Sequence, residues 1–232
     1  MIGTPHVHHR VTDSTNERAK QLAAVGAPHG TLVTADEQTA GRGRQGRQWL
    51  APAGRALLMS VVLHVDERTP LVPLAAAVAV CHAFPEANGI KWPNDVWVDG
   101  RKLAGILIEG RPQDGWAVLG IGLNVATEPG ELPDELRDIA TSLRAAGSDV
   151  STPAEALDVF LPVLEAWLAA PADAILNEWR ERDALRGQRI SWAGGEGVAA
   201  GVGEDGSLLV ETDDAGVQSL HAGEVHLGRA GT

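Results

Sequence analysis

The sequence predicts an α+β protein: a mixed α/β body with a small β-barrel appended at its C-terminus. Three observations predict it. Helical and strand-like segments interleave through the first 185 residues. Asp99-Gly100 between two apolar runs is a two-residue hairpin signal. From Arg186 onward the composition turns Gly-rich, with short apolar runs divided by turn residues.

The elements follow in order. Ser14 is placed to cap a helix over residues 16–25, with Glu17 three residues on as a capping box and Gly26 to end it. Residues 31–35 form a short β-rich run. Residues 38–48 are rich in Gly and Arg, lack an apolar period and read as a loop. Residues 56–65 are nearly all apolar, which suits a strand covered on both faces. Residues 71–84 suit a buried helix. Residues 90–92 open a strand that Pro93 breaks. Residues 96–98 and 102–109 flank the hairpin turn. Residues 117–123 form another strand, with Gly120 and Gly122 where a ligand or backbone can approach closely.

Thr152-Pro153-Ala154-Glu155 is a second capping box with Pro at the first helical position, and it opens a helix to about Ala169. A further helix is expected over residues 172–185. Four short strands follow, over residues 189–192, 198–202, 208–211 and 217–221. Turn signals at Asp205-Gly206 and Asp214-Ala215-Gly216 separate them. The domain boundary is placed near residues 185–187, giving units 1–185 and 186–232.

Composition narrows the function. The chain has 232 residues, 44% of them hydrophobic, and a formal net charge of −12. That balance disfavours a general basic surface for DNA or RNA but leaves room for a local pocket for a small anion. The single cysteine, Cys81, excludes an internal disulfide framework and a Cys-based structural zinc site. No apolar run reaches the ~18 residues of a membrane span, and the N-terminus has no apolar signal region. The starting expectation is a cytoplasmic protein with no membrane partner.

Four segments carry candidate chemistry. In Gly41-Arg42-Gly43-Arg44-Gln45-Gly46-Arg47-Gln48-Trp49, three arginines alternate with glycines in an otherwise acidic chain. Glycine lets backbone N–H groups face a ligand, and guanidinium forks suit carboxylate or phosphate oxygens. The same loop formally matches the dinucleotide fingerprint, but that motif needs a strand before it and a helix at its last glycine. The other segments are Lys91-Trp92-Pro93-Asn94-Asp95, Lys102 just after the hairpin turn, and Asn124 ending the strand with Gly120 and Gly122. Each alone also fits a blander reading: a solvated loop, a plain turn, an edge-strand lysine, a strand-terminating Asn.

Taken together, these motifs resemble one family. Ser14-Thr15-Asn16, Gln38, the 41–49 loop, Lys91-Trp92-Pro93-Asn94-Asp95, Arg101-Lys102-Leu103-Ala104-Gly105-Ile106-Leu107 and Gly120-Ile121-Gly122-Leu123-Asn124 occur in the order and spacing of the biotin protein ligases. The resemblance implies a class II synthetase-like domain, a mixed central sheet with flanking helices, and an SH3-like C-terminal barrel. It implies joining biotin to ATP as biotinyl-5′-AMP with release of pyrophosphate, then transfer to a lysine of a biotin carboxyl carrier protein domain of acetyl-CoA or a related carboxylase. Mg²⁺ would accompany ATP.

The resemblance also implies roles for matching positions. Ser14, Thr15, Asn16 and Gln38 would hold the ureido ring, with Gly105, Leu107 and Gly120 lining the same pocket. Arg42, Gly43 and Arg44 would meet carboxylate and phosphate, and Arg44 would retain the adenylate. Arg47, Trp49, Asn94 and Asn124 would surround the adenylate, with Trp49 covering the adenine. Lys102 would contact the carboxylate and then the acyl phosphate. Asp95 would orient Mg²⁺ or the incoming amine, and is the candidate base. Many bacterial relatives carry an N-terminal DNA-binding domain; here the first motif begins at Ser14, which points to the ligase-only class, without DNA, as monomer or homodimer. Two rivals remain: a lipoate-type protein ligase and a non-catalytic biotinyl-adenylate binder.

Overall fold

Two sheets organise the chain. The computed structural model describes residues 1–66, 69–213, 216–221 and 223–227. The first sheet holds β1 (His6–Thr12), β2 (Leu32–Gln38), β3 (Ala56–His64), β4 (Gly89–Lys91), β5 (Asp95–Val98), β6 (Arg101–Arg111) and β7 (Trp116–Asn124). Their order is β1-β2-β3-β7-β6-β5-β4. The sheet is mixed: β1 runs parallel to β2, and the remaining neighbours are antiparallel. The second sheet is antiparallel and holds β8 (Arg189–Trp192), β9 (Gly195–Val202), β10 (Leu208–Thr212), β11 (Gly216–Leu220) and β12 (His226–Leu227), in the order β11-β10-β9-β8-β12. The helices are α1 (Thr15–Ala24), α2 (Val72–Ala83), the short α3 (Asp134–Arg137), α4 (Pro153–Ala169) and α5 (Ala172–Glu181). Among the described residues, no helix is long and apolar enough to cross a membrane.

The apolar run at 56–65 becomes β3, buried from Ala56 to Leu63 between β2 and β7. Alternation along β3 divides its side chains between two faces. Leu57, Met59, Val61 and Leu63 join the main core with Leu119, Ile121 and the buried run of α2, and Phe160 and Leu164 of α4 pack there too. Phe84 stacks on Phe160 at 6.2 Å between ring centres. Burying side chains of this size contributes about 1.5–3 kcal/mol each. The opposite face, with Val62 and Val118, is covered by Ala19 and Ala23 of α1.

Local signals account for most elements. Asp99 and Gly100 both adopt positive φ, 48° and 79°, the geometry that lets a two-residue turn join β5 to β6. The Thr152 capping box forms with Glu155, and Pro153 opens α4. The first capping box does not form. Ser14 stands at the N-cap of α1 but makes no side-chain cap bond. Its backbone N–H, the donor Glu17 would take in the box, goes to Asp13 Oδ1 at 2.7 Å, and the Glu17 carboxylate pairs with Lys20 and Arg42.

Three further differences have physical causes. β1 escaped the sequence reading because His6-Val7-His8-His9-Arg10 is too polar to resemble a buried strand, and it lies at the sheet's outer edge, mostly exposed. β2 continues to Gln38, where a loop was expected to begin. α5 stops at Glu181 rather than near 185. Beyond it the backbone turns to pair with β4: Ile90 N–H donates to the Arg182 carbonyl at 2.7 Å, and Ala184 N–H to the Ile90 carbonyl at 3.0 Å. That pairing covers the sheet edge, which would otherwise present open hydrogen-bonding groups. Of the expected turn at 214–216, Asp214 and Ala215 lie outside the described residues, as do residues 228–232 of the C-terminal unit.

Candidate active site

A cleft of about 490 Å³ opens on the α1 side of the first sheet, and all the candidate residues line it. Its floor is set by strand register. Leu58, Gly122, Gly105 and Asp95 stand opposite one another across β3, β7, β6 and β5. Ser60, Gly120 and Leu107 form the next row. The glycines leave room that other elements fill. A Cβ at Gly120 would overlap the Asn16 carboxamide, and one at Gly122 would overlap the Trp49 indole. The close approach expected at Gly120 is therefore made by Asn16.

The polar end of the cleft is a connected hydrogen-bond network. The Gln38 carboxamide oxygen accepts from the Thr15 backbone N–H at 2.7 Å and lies 3.0 Å from the Thr15 hydroxyl. Ser60, fully buried on the floor, lies 2.6 Å from the Asn16 carboxamide oxygen and 2.8 Å from the Thr15 hydroxyl. Asn16 Nδ2 donates to Glu109 at 3.0 Å. Ser14 is 2% exposed, and its hydroxyl is not used in capping. Such a wall offers fixed donors and acceptors to a buried polar ring.

Along the cleft the chemistry turns cationic. The loop over 41–49, here called the flap, folds against the floor through Trp49, which packs over the bare Gly105–Gly122 pair. Lys102 Nζ sits 2.6 Å from Asp95 and 5.6 Å from the centre of the Trp49 ring. Burial, and then the neighbouring Arg47 charge, lower the Arg44 pKa. Burial likewise lowers that of Lys91, against the pull of Asp95 and Glu224. Lys91 lies 5.4 Å over the Trp97 ring. Arg47 pairs with Glu224 of the C-terminal segment. Arg42 lines the cleft and pairs with Glu17 and Glu109, which also hold Lys20.

Asn94 donates to the Ile106 carbonyl at 2.8 Å, and Asn124 to the Thr141 carbonyl at 3.0 Å. Asn124 Oδ1 and the Trp49 indole nitrogen are buried with no protein partner. A ligand that donates to one and accepts from the other would satisfy both. Gly43 lines the cleft beside its two arginines.

The sequence reading missed part of the cleft. Leu132, Leu136 and Ile139 form an apolar wall after β7, and Glu224 and Leu227 reach in from the C-terminal segment. Only Leu136 of the first three lies on a helix, the short α3, so no helical stripe marks them in the sequence. No local signal marks Glu224. For a metal, the donor set is thin: among the described residues no group of three His, Cys, Asp or Glu side chains is placed to hold one. Asp95 lies in the floor but is engaged by Lys102.

Comparison with known proteins decides the family. Residues 8–125, just over half of the chain, match the biotin/lipoate A/B protein ligase family. The chain belongs to that family. A biotin/lipoate ligase relative, the bifunctional ligase/repressor BirA of Bacillus subtilis, is 37% identical over 254 residues, covering 98% of this chain and 75% of that protein. The biotin–[acetyl-CoA-carboxylase] ligase of Paracoccus denitrificans is 35% identical over 246 residues, covering 94% and 98%. Among solved structures, the biotin protein ligase from Aquifex aeolicus in complex with biotin and ATP superposes with a TM-score of 0.83 at 29% identity, covering 98% of this chain and 100% of that one. The mixed sheet with flanking helices is thus the biotin ligase fold.

Proposed function

We propose that this ligase joins the carboxylate of biotin to the α-phosphate of ATP and then transfers the biotinyl group to a lysine of a carboxylase's biotin carboxyl carrier domain. The observation that carries this reading is a single cleft with a buried amide and hydroxyl network at one end and Arg44, Lys91 and Lys102 along the rest. Bound biotin and ATP in the Aquifex relative support it, as do the names of the acetyl-CoA-carboxylase ligases.

Ser14, Thr15, Asn16 and Gln38 bind the ureido ring, with Gly105, Leu107 and Gly120 beside it. Arg42, Gly43 and Arg44 meet the carboxylate and α-phosphate. Arg47, Trp49, Asn94 and Asn124 surround the nucleotide, the buried orphan atoms of Trp49 and Asn124 being the natural contacts. Two anions must approach each other, so the chief need is fixed positive charge in a site shielded from water. In the first step a carboxylate oxygen attacks the α-phosphorus, the bond from that phosphorus to the α,β-bridging oxygen breaks, and pyrophosphate leaves with that oxygen and the electron pair. In the second the lysine nitrogen attacks the acyl carbon, AMP leaves, and the amine loses a proton. Lys102, aligned by Asp95, steadies the carboxylate and then the acyl phosphate. Asp95 stands where that proton can be accepted once the pair loosens. Mg²⁺ would enter as the counter-ion of the triphosphate, with Asp95 as its candidate protein contact; among the described residues no group of three His, Cys, Asp or Glu side chains is placed to hold a metal.

We also infer that residues 1–185 act as the catalytic domain and 186–232 as an SH3-like barrel, read from the five antiparallel strands that begin at Arg189. Incubation with labelled biotin, MgATP and a carrier domain tests the whole reading. Pyrophosphate release and label on the carrier lysine are expected. Release with lipoate instead of biotin, or adenylate binding without transfer, would overturn it.

A further inference from the structure

Glu109 ends the expected strand run that begins at Lys102 and was given no role from the sequence, yet it touches both halves of the cleft. Its Oε2 accepts from Asn16 Nδ2 at 3.0 Å, at the polar end. Its Oε1 lies 3.3 Å from Arg42 Nη1 of the flap and 3.4 Å from Lys20 Nζ. The carboxylate is partly covered, with 28% of the side chain exposed. Asn16 has no freedom to compensate. Gly120 lies directly beneath it, and Ser60 holds its carboxamide oxygen at 2.6 Å. That oxygen can only accept, so the Ser60 proton fixes which way the carboxamide points and commits Nδ2 to Glu109.

We propose that Glu109 is a positioning residue that couples the Asn16 end of the cleft to the Arg42 flap. It rests on the functional reading above and adds a mechanism to it. One carboxylate cannot move toward Asn16 without loosening its hold on Arg42, and the reverse is equally true. Exposed ion pairs are weak when isolated, but a carboxylate shared by a buried amide and two cations acts as a network. A glutamine at this position keeps the size and removes the sharing. Whichever way its amide turns, either Asn16 or the pair of cations faces an N–H donor.

The test is a double-mutant cycle on the full-length ligase. KM for biotin is measured for the parent, Asn16→Ala, Arg42→Ala and the double variant, and the four are repeated in a Glu109→Gln background. In the parent background the double variant should depart from the product of the single effects by about fivefold or more. With Glu109→Gln the departure should fall within about twofold. Single effects that multiply in the parent, or an unchanged departure with Glu109→Gln, would overturn the proposal. Melting curves exclude a fold defect. If Glu109→Gln does not fold, Glu109→Ala serves for the same comparison, and multiplicative effects in the parent alone still refute the coupling. Carrier labelling by the parent is the separate control: if it fails, the functional reading falls; if it succeeds and the cycle is multiplicative, only Glu109's role falls.

Discussion

The indole N–H of Trp92 donates to the Gly206 carbonyl across 3.0 Å. Trp92 is 2% exposed and directly follows Lys91 in the turn that carries Asn94 and Asp95. Gly206 belongs to the turn between β9 and β10. The second sheet therefore braces the cleft's Lys91–Asp95 turn from behind, while Asn94 braces it on β6.

Trp92→Phe should keep the ring's packing and lose this bond. A hydrogen bond of this kind contributes about 1 kcal/mol, which corresponds to a drop of about 2–4 °C in melting temperature for a chain of this size. Kinetics of the variant should show KM for ATP rising more than KM for biotin, since the displaced turn lies away from the polar end. Equal shifts in both constants would contradict that placement.

Lys102→Ala should lower biotin-dependent pyrophosphate release by about a hundredfold. The variant removes the cation nearest Asp95 and leaves that carboxylate unpaired in the floor. Turnover close to the parent's would remove Lys102 from the reaction.

Gly120→Ala would set a methyl group against the Asn16 carboxamide. Asn16 must then move off Ser60, and KM for biotin should rise by about tenfold, the cost of one good buried hydrogen bond. Calorimetry with biotin alone reads this directly. An unaltered affinity would mean that Asn16 does not contribute to that end of the cleft.

Asp183 offers a test by pH. Burial raises its carboxyl pKa above the ordinary 3.8, despite the hydrogen bond from the Leu185 N–H. Its second oxygen is buried without a partner. A raised native pKa means that stability is lost as pH climbs through that value, because the fold must then carry the charge. Asp183→Asn stays neutral and still accepts from Leu185. It should melt above the parent at pH 7, and the gap should close as pH falls toward 4. A constant gap, or a variant that melts lower throughout, would contradict the assignment.

Much of this architecture was written locally. The unbroken apolar run of β3, the Asp99-Gly100 turn and the Thr152 capping box each follow from neighbours in sequence. The cleft's residues were legible only as a set: each segment alone fits a solvated loop, a plain turn or an edge-strand lysine, and it is their joint order and spacing that resembles the biotin protein ligases. What escaped depends on distant partners. β1 is a strand because β2 offers it an edge, not because His-Val-His-His-Arg favours one. The expected capping box at Ser14 does not close, its backbone N–H going to Asp13 and the Glu17 carboxylate to cations of the flap and of α1 itself. Glu224 joins the cleft through an ion pair with Arg47, far away in the chain.

The paired glycines of β6 and β7 have one more consequence. At its centre the sheet contributes backbone and empty space, and the side chains that fill it come from the start of α1 and from the flap. The lining of the cleft and its scaffold are thus carried by separate stretches of chain. Exchanging the two short stretches is expected to change what the cleft accepts, while the core beneath, packed against α2 and α4, would not register the change.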